Sequence, residues 1–315
     1  MPAKITFGSD PEFMIINPDG GLQSAIGLIK GTSERPVKHG NNNFYQDNVL
    51  GECTIKPGES AEESIANFQS CFQMFAKMIS PYKLVCRAAA DYPREELKHP
   101  LARVTGCKRE WCAYTLNMLP KHEEEFLHGT LRTAGGHVHI GAPGYIRSQM
   151  MAHYYVRMLD LFLGIPAVFM NHDPSAAIRR RLYGGLGSHR TKSYGIEYRV
   201  LDNFWLSSPS LVAIVYDIAA WTVEFVNDRG HEQFWKMDQE KFAHAISIPG
   251  TSMRNVFVPL KFDLAKMQNA VDNSDREAAK LFMDIAASYL PQDLMSRIAE
   301  ASKPCQYNFY KEWNL

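Results

Sequence analysis

Three short segments of this chain each carry two titratable side chains separated by one residue. Asp10 and Glu12 flank Pro11, His137 and His139 flank Val138, and Glu197 and Arg199 flank Tyr198. On a strand, residues i and i+2 share a face and stand about 6.6–6.8 Å apart. In the last two segments the alternate positions are apolar: Val138 and Ile140, then Ile196, Tyr198 and Val200. The pattern therefore predicts half-buried strands, each with one dry face and one titratable face. Glu52, in Gly51-Glu52-Cys53, is a single acid in a fourth strand-like run. Carboxylates with one or two imidazoles suit hard divalent ions such as Mg2+ or Mn2+. Acids on neighbouring strands could span two such ions roughly 3.5–4 Å apart. An arginine beside them offers a forked donor for a carboxylate or a phosphate.

Each pair also has a plain structural alternative. Two carboxylates at i, i+2 make a solvated face, a His-x-His can be a satisfied buried pair, and Glu197 with Arg199 can form cross-strand ion pairs. The shared form of the three segments is what favours chemistry. The stretch before the third strand, RRRLYGGLGSHRTKSYG, adds Arg179, Arg180, Arg181, Arg190 and Lys192 around Gly184, Gly185 and Gly187. Backbone amides and cations in such a loop could hold a polyphosphate, or the loop is simply solvated and basic. It is not a Walker A motif, and no GxGxxG follows a strand. Arg132, just before the His-x-His segment, adds a further cation.

The elements that must position these residues are short and mixed. Residues 4–7 and 12–16 read as strands around a turn, 17–48 as loops with short strands, and 49–55 and 83–89 as strands. Ser60 followed by Glu63 forms a capping box. It opens a helix whose Ile65, Phe68, Phe72, Phe75 and Met78 recur at helical spacing. Residues 91–134 read as irregular, 136–141 as a strand, 146–163 as a helix, 171–193 as a loop, 195–201 as a strand and 209–227 as a helix. Two or three further helices follow, with a second capping box at Ser274 and Glu277. No regular βαβ rhythm is present. The expected fold is α+β, a largely antiparallel sheet with a helical C-terminal part, the core covering 1–230 and the helical region 231–315.

Composition excludes several classes. The chain has 315 residues, a formal net charge of +0 and 45% hydrophobic residues, which is ordinary globular composition. The balanced charge argues against a nucleic-acid or anionic-membrane partner. The cysteines (Cys53, Cys71, Cys86, Cys107, Cys112 and Cys305) form no CxxC pair and read as reduced thiols. The N-terminal MPAKITFGSDPEF lacks the apolar run of a signal peptide, and the apolar stretch 158–170 is too short to span a bilayer. The expectation is a cytoplasmic protein.

Four blocks together resemble the glutamine synthetase/glutamate–cysteine ligase superfamily, specifically its phage-type carboxylate–amine ligases: GSDPEF (8–13), QDNVLGECTIKPGES (46–60), RTAGGHVHIG (132–141) and LYGGLGSHRTKSYGIEYRVLDNFW (182–205). They occur in that family's order and reach to about residue 230. The resemblance implies a glutamine synthetase-like sheet curved into a partial barrel with helices on its convex side. It also implies ATP with two or three Mg2+ ions on the concave face, Mn2+ being a possible substitute. Asp10, Glu12, Glu52, His137 and Glu197 would be metal ligands. His139 would face the substrate or its acyl phosphate, and Arg199 would hold the substrate or the transferred phosphate. Arg132, Arg181, Arg190 and Lys192 would neutralise the nucleotide phosphates, Arg190 also acting in catalysis. The implied reaction joins a small-molecule or peptide carboxylate to an amine, in the host cytoplasm if phage-encoded, by an enzyme that can assemble into homo-oligomers. The first acid is an aspartate where the wider superfamily has glutamate, and carboxylates are fewer near Glu52 than in glutamine synthetase. Trp111, Tyr114 and the 91–130 segment either shape an acceptor pocket or pack. Three other readings share parts of the pattern: a metal-dependent hydrolase, a kinase that stops at the phosphorylated intermediate, and a non-catalytic ATP-binding or structural phage protein.

Overall fold

Side-chain alternation decides which face each strand turns to the core, and the strands use it consistently. The computed structural model describes residues 4–104, 110–119, 128–228 and 263–315. One sheet has the order β1-β11-β13-β12-β9, from Thr6–Ser9 (β1), Val138–Gly141 (β11), Gly195–Tyr198 (β13), Ser188–Lys192 (β12) and Trp111–Cys112 (β9). A second has the order β3-β2-β6-β5-β4, from Leu22–Gln23 (β3), Glu12–Ile16 (β2), Leu50–Thr54 (β6), Asn42–Asp47 (β5) and Val37–His39 (β4). Lys83–Val85 (β7) also pairs with β2, and Ala89–Asp91 (β8) pairs with Leu131–Thr133 (β10). Every strand ladder is antiparallel.

Asp10 and Pro11 carry the chain from β1 into β2, and so from one sheet into the other. The sheets stay joined there because the chain after β6 keeps pairing with β1. Ile55 N donates to Ser9 O at 3.1 Å, and Phe7 and Gly58 exchange bonds of 2.8 and 2.9 Å. The result is a curled antiparallel half-barrel.

One face of this surface is dry. Phe7, Phe13 and Phe44 meet the aromatic side of helix α1, Ala61–Ile79, with ring centroids 6.5 Å apart for Phe7 and Phe68, 5.4 Å for Phe13 and Phe72, and 5.2 Å for Phe44 and Phe75. The N-cap is Ser60, which accepts from Glu63 N at 3.1 Å. Behind β11 and β13 lie Gln149–Leu159, a π-turn at Asp160–Gly164 and Ile165–Met170. The apolar stretch 158–170 is therefore a core segment. Pro166 sits in the first turn of its last helix, where a missing N–H costs little.

Pro209–Asn227 is long and apolar enough to cross a membrane by length and composition. Here it packs against α1, Gln149–Leu159 and Gln292–Ala301. Leu264–Asp272, Arg276–Ala287, Gln292–Ala301 and Phe309–Glu312 complete the described helices. They are tied to the rest by a buried Trp313, whose Nε1 donates to Leu206 O at 2.7 Å, and by Arg297 on Asp217 at 2.6 Å.

Three expectations need correction. The 171–193 stretch contains a helix, Ala176–Arg180, and the strand β12. Its many charges hide the alternation of Ser188–Lys192. The 83–89 strand splits into β7 and β8, which join different sheets. The second capping box shifts by one: Asp275 is the N-cap, accepting from Glu277 N and Ala278 N, while Ser274 adopts φ 52.

Tyr198 shows how the dry face is fastened. Its hydroxyl donates to Asp160 at 2.8 Å, in the π-turn directly behind the strand. Burial pushes the Asp160 carboxyl up to about 8, against the donors Tyr198 and Tyr114. Its folded value exceeds its unfolded one, so its charge destabilises the fold progressively as pH rises from about 4 to 8. Tyr198→Phe should lower unfolding free energy by about 1–3 kcal/mol. Urea denaturation should show a larger loss at pH 9, where Asp160 is ionised, than at pH 6.

Candidate active site

The register of the first sheet builds one row of side chains. Gly8 pairs with His139, His139 with Glu197, and Glu197 with Arg190. Directly paired residues share a face, so this row lies opposite the dry side that carries Phe7, Ile140 and Ile196. One step along the same face stand Asp10, His137 and Arg199. In the second sheet Glu12 pairs with Glu52 and Glu52 with Tyr45. The run Gly8, Asp10, Glu12 thus feeds both sheets from one face, and the Asp10–Pro11 link sets two carboxylate groups side by side.

The first group is already rich in cations. Asp10 Oδ1 lies 2.9 Å from His137 Nδ1 and 3.1 Å from His139 Nε2, the latter without hydrogen-bond alignment. Glu197, fully buried, accepts from Arg199 on Oε1 and from Arg190 on the same oxygen at 3.0 Å, and pairs by charge with Lys192, whose Nζ is 2.6 Å from Oε2 without hydrogen-bond alignment. Burial and the charge of Asp10 oppose its ionisation, yet Arg199, His137 and Arg190 hold its carboxyl down at about 2. Burial likewise opposes ionisation of Asp10, and the imidazoles of His139 and His137 keep it well below the usual carboxylate range. His139 is itself raised: burial lowers it, but Asp10 outweighs burial. Tyr194, in the β12–β13 turn, places its hydroxyl 2.9 Å from His139 Nδ1 and so holds the other side of that ring.

The second group is the reverse. Ligand oxygens of Glu12, Asp47 and Glu52 all lie within 4.8 Å of one another. Their partners are neutral: Gly135 N at 2.6 Å and Tyr183 OH at 2.8 Å on Glu12, and Tyr45 OH at 2.6 Å on Glu52. Burial, then Glu12, pushes Asp47 up to about 7, and burial, then Asp47, pushes Glu52 well above the usual range. Three crowded carboxylates whose hydrogen-bond partners among the described residues are neutral are what a hard divalent ion relieves. Between the groups, His137 Nε2 is buried and has no hydrogen-bond partner among the described residues. A Cβ at Gly135 would come within 2.4 Å of that nitrogen, so only glycine fits there. The donor chemistry fits a divalent ion at the second group, Glu12, Asp47 and Glu52; Asp10, His139 and Glu197 also lie within 4.8 Å of one another, but there Arg199, Arg190, Lys192 and His137 already supply the countercharge.

The expected residues Asp10, Glu12, Glu52, His137, His139, Glu197, Arg199, Arg190 and Lys192 therefore gather on one face. Two do not. Arg132 is 1% exposed, and its guanidinium is spent on Asn48 Oδ1 and the carbonyls of Gly129, Leu131 and Ala102 at 2.8–3.1 Å. It clamps the β5–β6 turn, and the expectation that it holds phosphate is corrected. Arg181 is exposed beyond the helix Ala176–Arg180, and among the described residues no ion pair ties it to the carboxylates. Its neighbours Arg179 and Arg180 are buried, Arg179 donating to the carbonyls of Val200 and Arg199. Gly184 N, in the glycine-rich loop, donates to Glu110 Oε1 at 3.3 Å.

Four site residues escaped the sequence reading. Asp47 had a signal: it stands two residues after Tyr45 in β5, hence on the same face as Glu52's partner. Tyr183 and Tyr194 lay within the glycine-rich block, where attention to charge passed over them. Glu110, which takes Arg199 Nε at 2.7 Å, sits in a segment with no periodicity to reveal it. Cys107 lies outside the described residues.

A model of the family described as phage phiEco32-like COOH.NH2 ligase-type 2 matches residues 108–286. Among solved structures, the chain is similar to the crystal structure of a bifunctional glutathione synthetase from Pasteurella multocida, at 10% identity and a TM-score of 0.39, over 95% of this chain and 52% of that one. The chain thus spans about half the length of that protein, and a likeness this distant carries no argument. A search of curated proteins gave no match.

Two predictions follow from the electrostatics. Asp47 binds its proton more tightly folded than unfolded, so its contribution to stability falls as pH rises from about 4 to 7. Divalent ions need the ionised carboxylate. Thermal melts should therefore show Mg2+ or Mn2+ raising Tm by several degrees at pH 8 and clearly less at pH 5, and Asp47→Asn should remove most of that difference. Arg132→Met should cost roughly 2–4 kcal/mol in stability by denaturant titration, with the Mg2+-induced rise in Tm kept.

Proposed function

The chain belongs to the phage phiEco32-like COOH.NH2 ligase-type 2 family, whose model spans more than half of it, and on that premise we propose that it is an ATP- and Mg2+-dependent carboxylate–amine ligase working through an acyl phosphate. One observation carries the reading: strand register alone sets His139, Glu197 and Arg190 in a row beside Asp10 and Arg199, with the acids Glu12, Asp47 and Glu52 adjoining. We also place the half-barrel with the glutamine synthetase/glutamate–cysteine ligase superfamily, since its acids, His-x-His and Glu-x-Arg fall on one face in the order that resemblance implies.

A free carboxylate resists amines because oxide is a poor leaving group. In the proposed first step a carboxylate oxygen of the substrate attacks the γ-phosphorus of ATP, the bond from that phosphorus to the β–γ bridging oxygen breaks, and ADP leaves. In the second, the amine nitrogen attacks the acyl carbon, the carbon–oxygen bond to phosphate breaks, and the nitrogen gives up a proton. Both steps are mostly positioning and charge neutralisation. Arg199, held by Glu110 and Glu197, is rigid and suited to grip the carboxylate or the moving phosphoryl group. His139, kept protonated to higher pH by Asp10 and oriented by Tyr194, is placed to donate to a phosphoryl oxygen. Arg190 and Lys192 line the same row and suit the remaining phosphate charge. Mg2+ would be held by Glu12, Asp47 and Glu52, with His137 adjoining, and when bound would supply charge neutralisation to the triphosphate.

ADP release should be screened over a panel of carboxylates and amines with Mg2+, followed by product mass. Release that requires both substrates and yields an amide is expected. Release without any amine would point to a kinase, and no Tm shift with Mg·ATP would point to a non-catalytic protein. Glu12→Gln and Glu197→Gln should each lower ADP formation at least 100-fold while circular dichroism shows the fold retained. Full turnover in either variant would remove the assignment.

A further inference from the structure

Two of the acids in the second group are held by one oxygen and open at the other. Glu12 Oε2 accepts both from Gly135 N at 2.6 Å and from Tyr183 OH at 2.8 Å. A carboxylate oxygen has two lone pairs, so this one is filled. Glu52 Oε1 accepts from Tyr45 OH at 2.6 Å, across the register pair that joins β5 to β6. Glu12 Oε1 and Glu52 Oε2 take no hydrogen bond among the described residues, and both remain reachable from solvent. Asp47 has both oxygens open in the same way. Glu12 and Glu52 are only 4% and 8% exposed, so neither side chain has much room to turn.

The Tyr183 hydroxyl is not placed by Glu12 alone. The face of its ring carries the Arg179 guanidinium at 4.3 Å and that of Arg199 at 5.5 Å. A Cβ built at Gly135 would lie 2.8 Å from the hydroxyl and 2.4 Å from His137 Nε2. The hydroxyl that fills Glu12 Oε2 and the unpartnered imidazole nitrogen therefore crowd the same point, beside the one glycine that leaves them room. Tyr45 is fixed differently, by its place in β5 directly opposite Glu52. Each tyrosine thus stands on an acid of the group and is itself held by something other than that acid.

We propose that Tyr183 and Tyr45 are positioning residues that select the ion: by occupying one oxygen of each glutamate they keep Glu12 and Glu52 as one-oxygen ligands, and the site therefore favours Mg2+ over Ca2+. Ca2+ is the larger ion, takes more oxygens and readily uses both oxygens of one carboxylate. Mg2+ demands a near-octahedral set and gives up its water reluctantly, so an acidic cluster whose carboxylates can turn freely suits Ca2+ better. Here two of the three carboxylates are prevented from turning both oxygens inward. The proposal rests on the reading that Glu12, Asp47 and Glu52 hold the ion, and adds what makes that group choose.

The test is calorimetric titration of the full chain, without nucleotide, with MgCl2 and with CaCl2 at pH 8. The unsubstituted protein should bind Ca2+ no more tightly than Mg2+. Tyr183→Phe keeps the ring on both arginines and removes only the hydroxyl, and Tyr45→Phe does the same at Glu52. Each should shift the ratio of the two dissociation constants toward Ca2+ by at least 5-fold, with circular dichroism showing the fold retained. A hydroxyl that served only the fold, or only softened the charge, would alter both affinities alike and leave the ratio in place. A ratio unchanged in either variant, a shift toward Mg2+, tighter binding of Ca2+ than of Mg2+ before substitution, or no Mg2+ binding at all would each overturn the proposal. Its fate separates from that of the ligase reading. The expected shifts with no ADP from any carboxylate and amine leave the tyrosines' role and remove the ligase. Amide formation by a protein whose ratio ignores both variants leaves the ligase and removes the role.

Discussion

Like charges crowded on a buried face must be compensated, and most of this protein's architecture answers that demand. Asp10, Glu12, Asp47, Glu52 and Glu197 converge from the β1–β2 link, β2, β5, β6 and β13 onto one side of a curled sheet. Glu197 is fully buried and ionises readily only because Arg199, Arg190 and Lys192 surround it. Glu12, Asp47 and Glu52 have hydroxyls and an amide instead, which satisfy hydrogen bonds and leave the repulsion standing. The two groups differ in sign balance across one Asp10–Pro11 link, and that asymmetry defines the site: one half offers cations to an anionic substrate, the other asks for cations from solution.

The compensating groups have to be held rigidly, and the dry face does this. Every second residue of β1, β11 and β13 is anchored in packed aromatic and aliphatic side chains, so the intervening polar residues have little freedom to relax. Tyr198 is the clearest example, flanked on its strand by Glu197 and Arg199 and bonded behind to Asp160 in a π-turn. Such turns are uncommon and recur near functional sites. The C-terminal helices add to the same frame, through Trp313 and Phe309 on the core and through Asp272 on the loop that carries Tyr183. The helices after residue 263 thus support the loop that carries Tyr183.

Not every cation near the site serves it. Arg132 and Arg179 are nearly invisible to solvent and spend their guanidinium groups on backbone carbonyls. They hold the β5–β6 turn and the end of β13 where the carboxylates need them. A buried arginine with five donors is a strong staple for irregular backbone. In sequence it cannot be told from an arginine that binds phosphate, because both occur beside glycines in polar loops.

The sequence by itself determined which residues would share a face. Period-two alternation is a covalent property of extended chain, so Asp10 with Glu12, His137 with His139 and Glu197 with Arg199 were legible as pairs before any contact was known. It also gave α1 and its cap, through helical spacing and Ser60. Tertiary structure alone decided which pairs meet. Register across strands far apart in number, such as His139 on Glu197 and Glu12 on Glu52, depends on packing of the whole dry face and leaves no local trace. The same holds for Asp47 and Glu110, recruited by neighbours from other strands, and for Arg132, withdrawn by a turn it happens to cover. Local chemistry writes the alternation, but only the closed packing of many distant segments sets the distances at which charges meet.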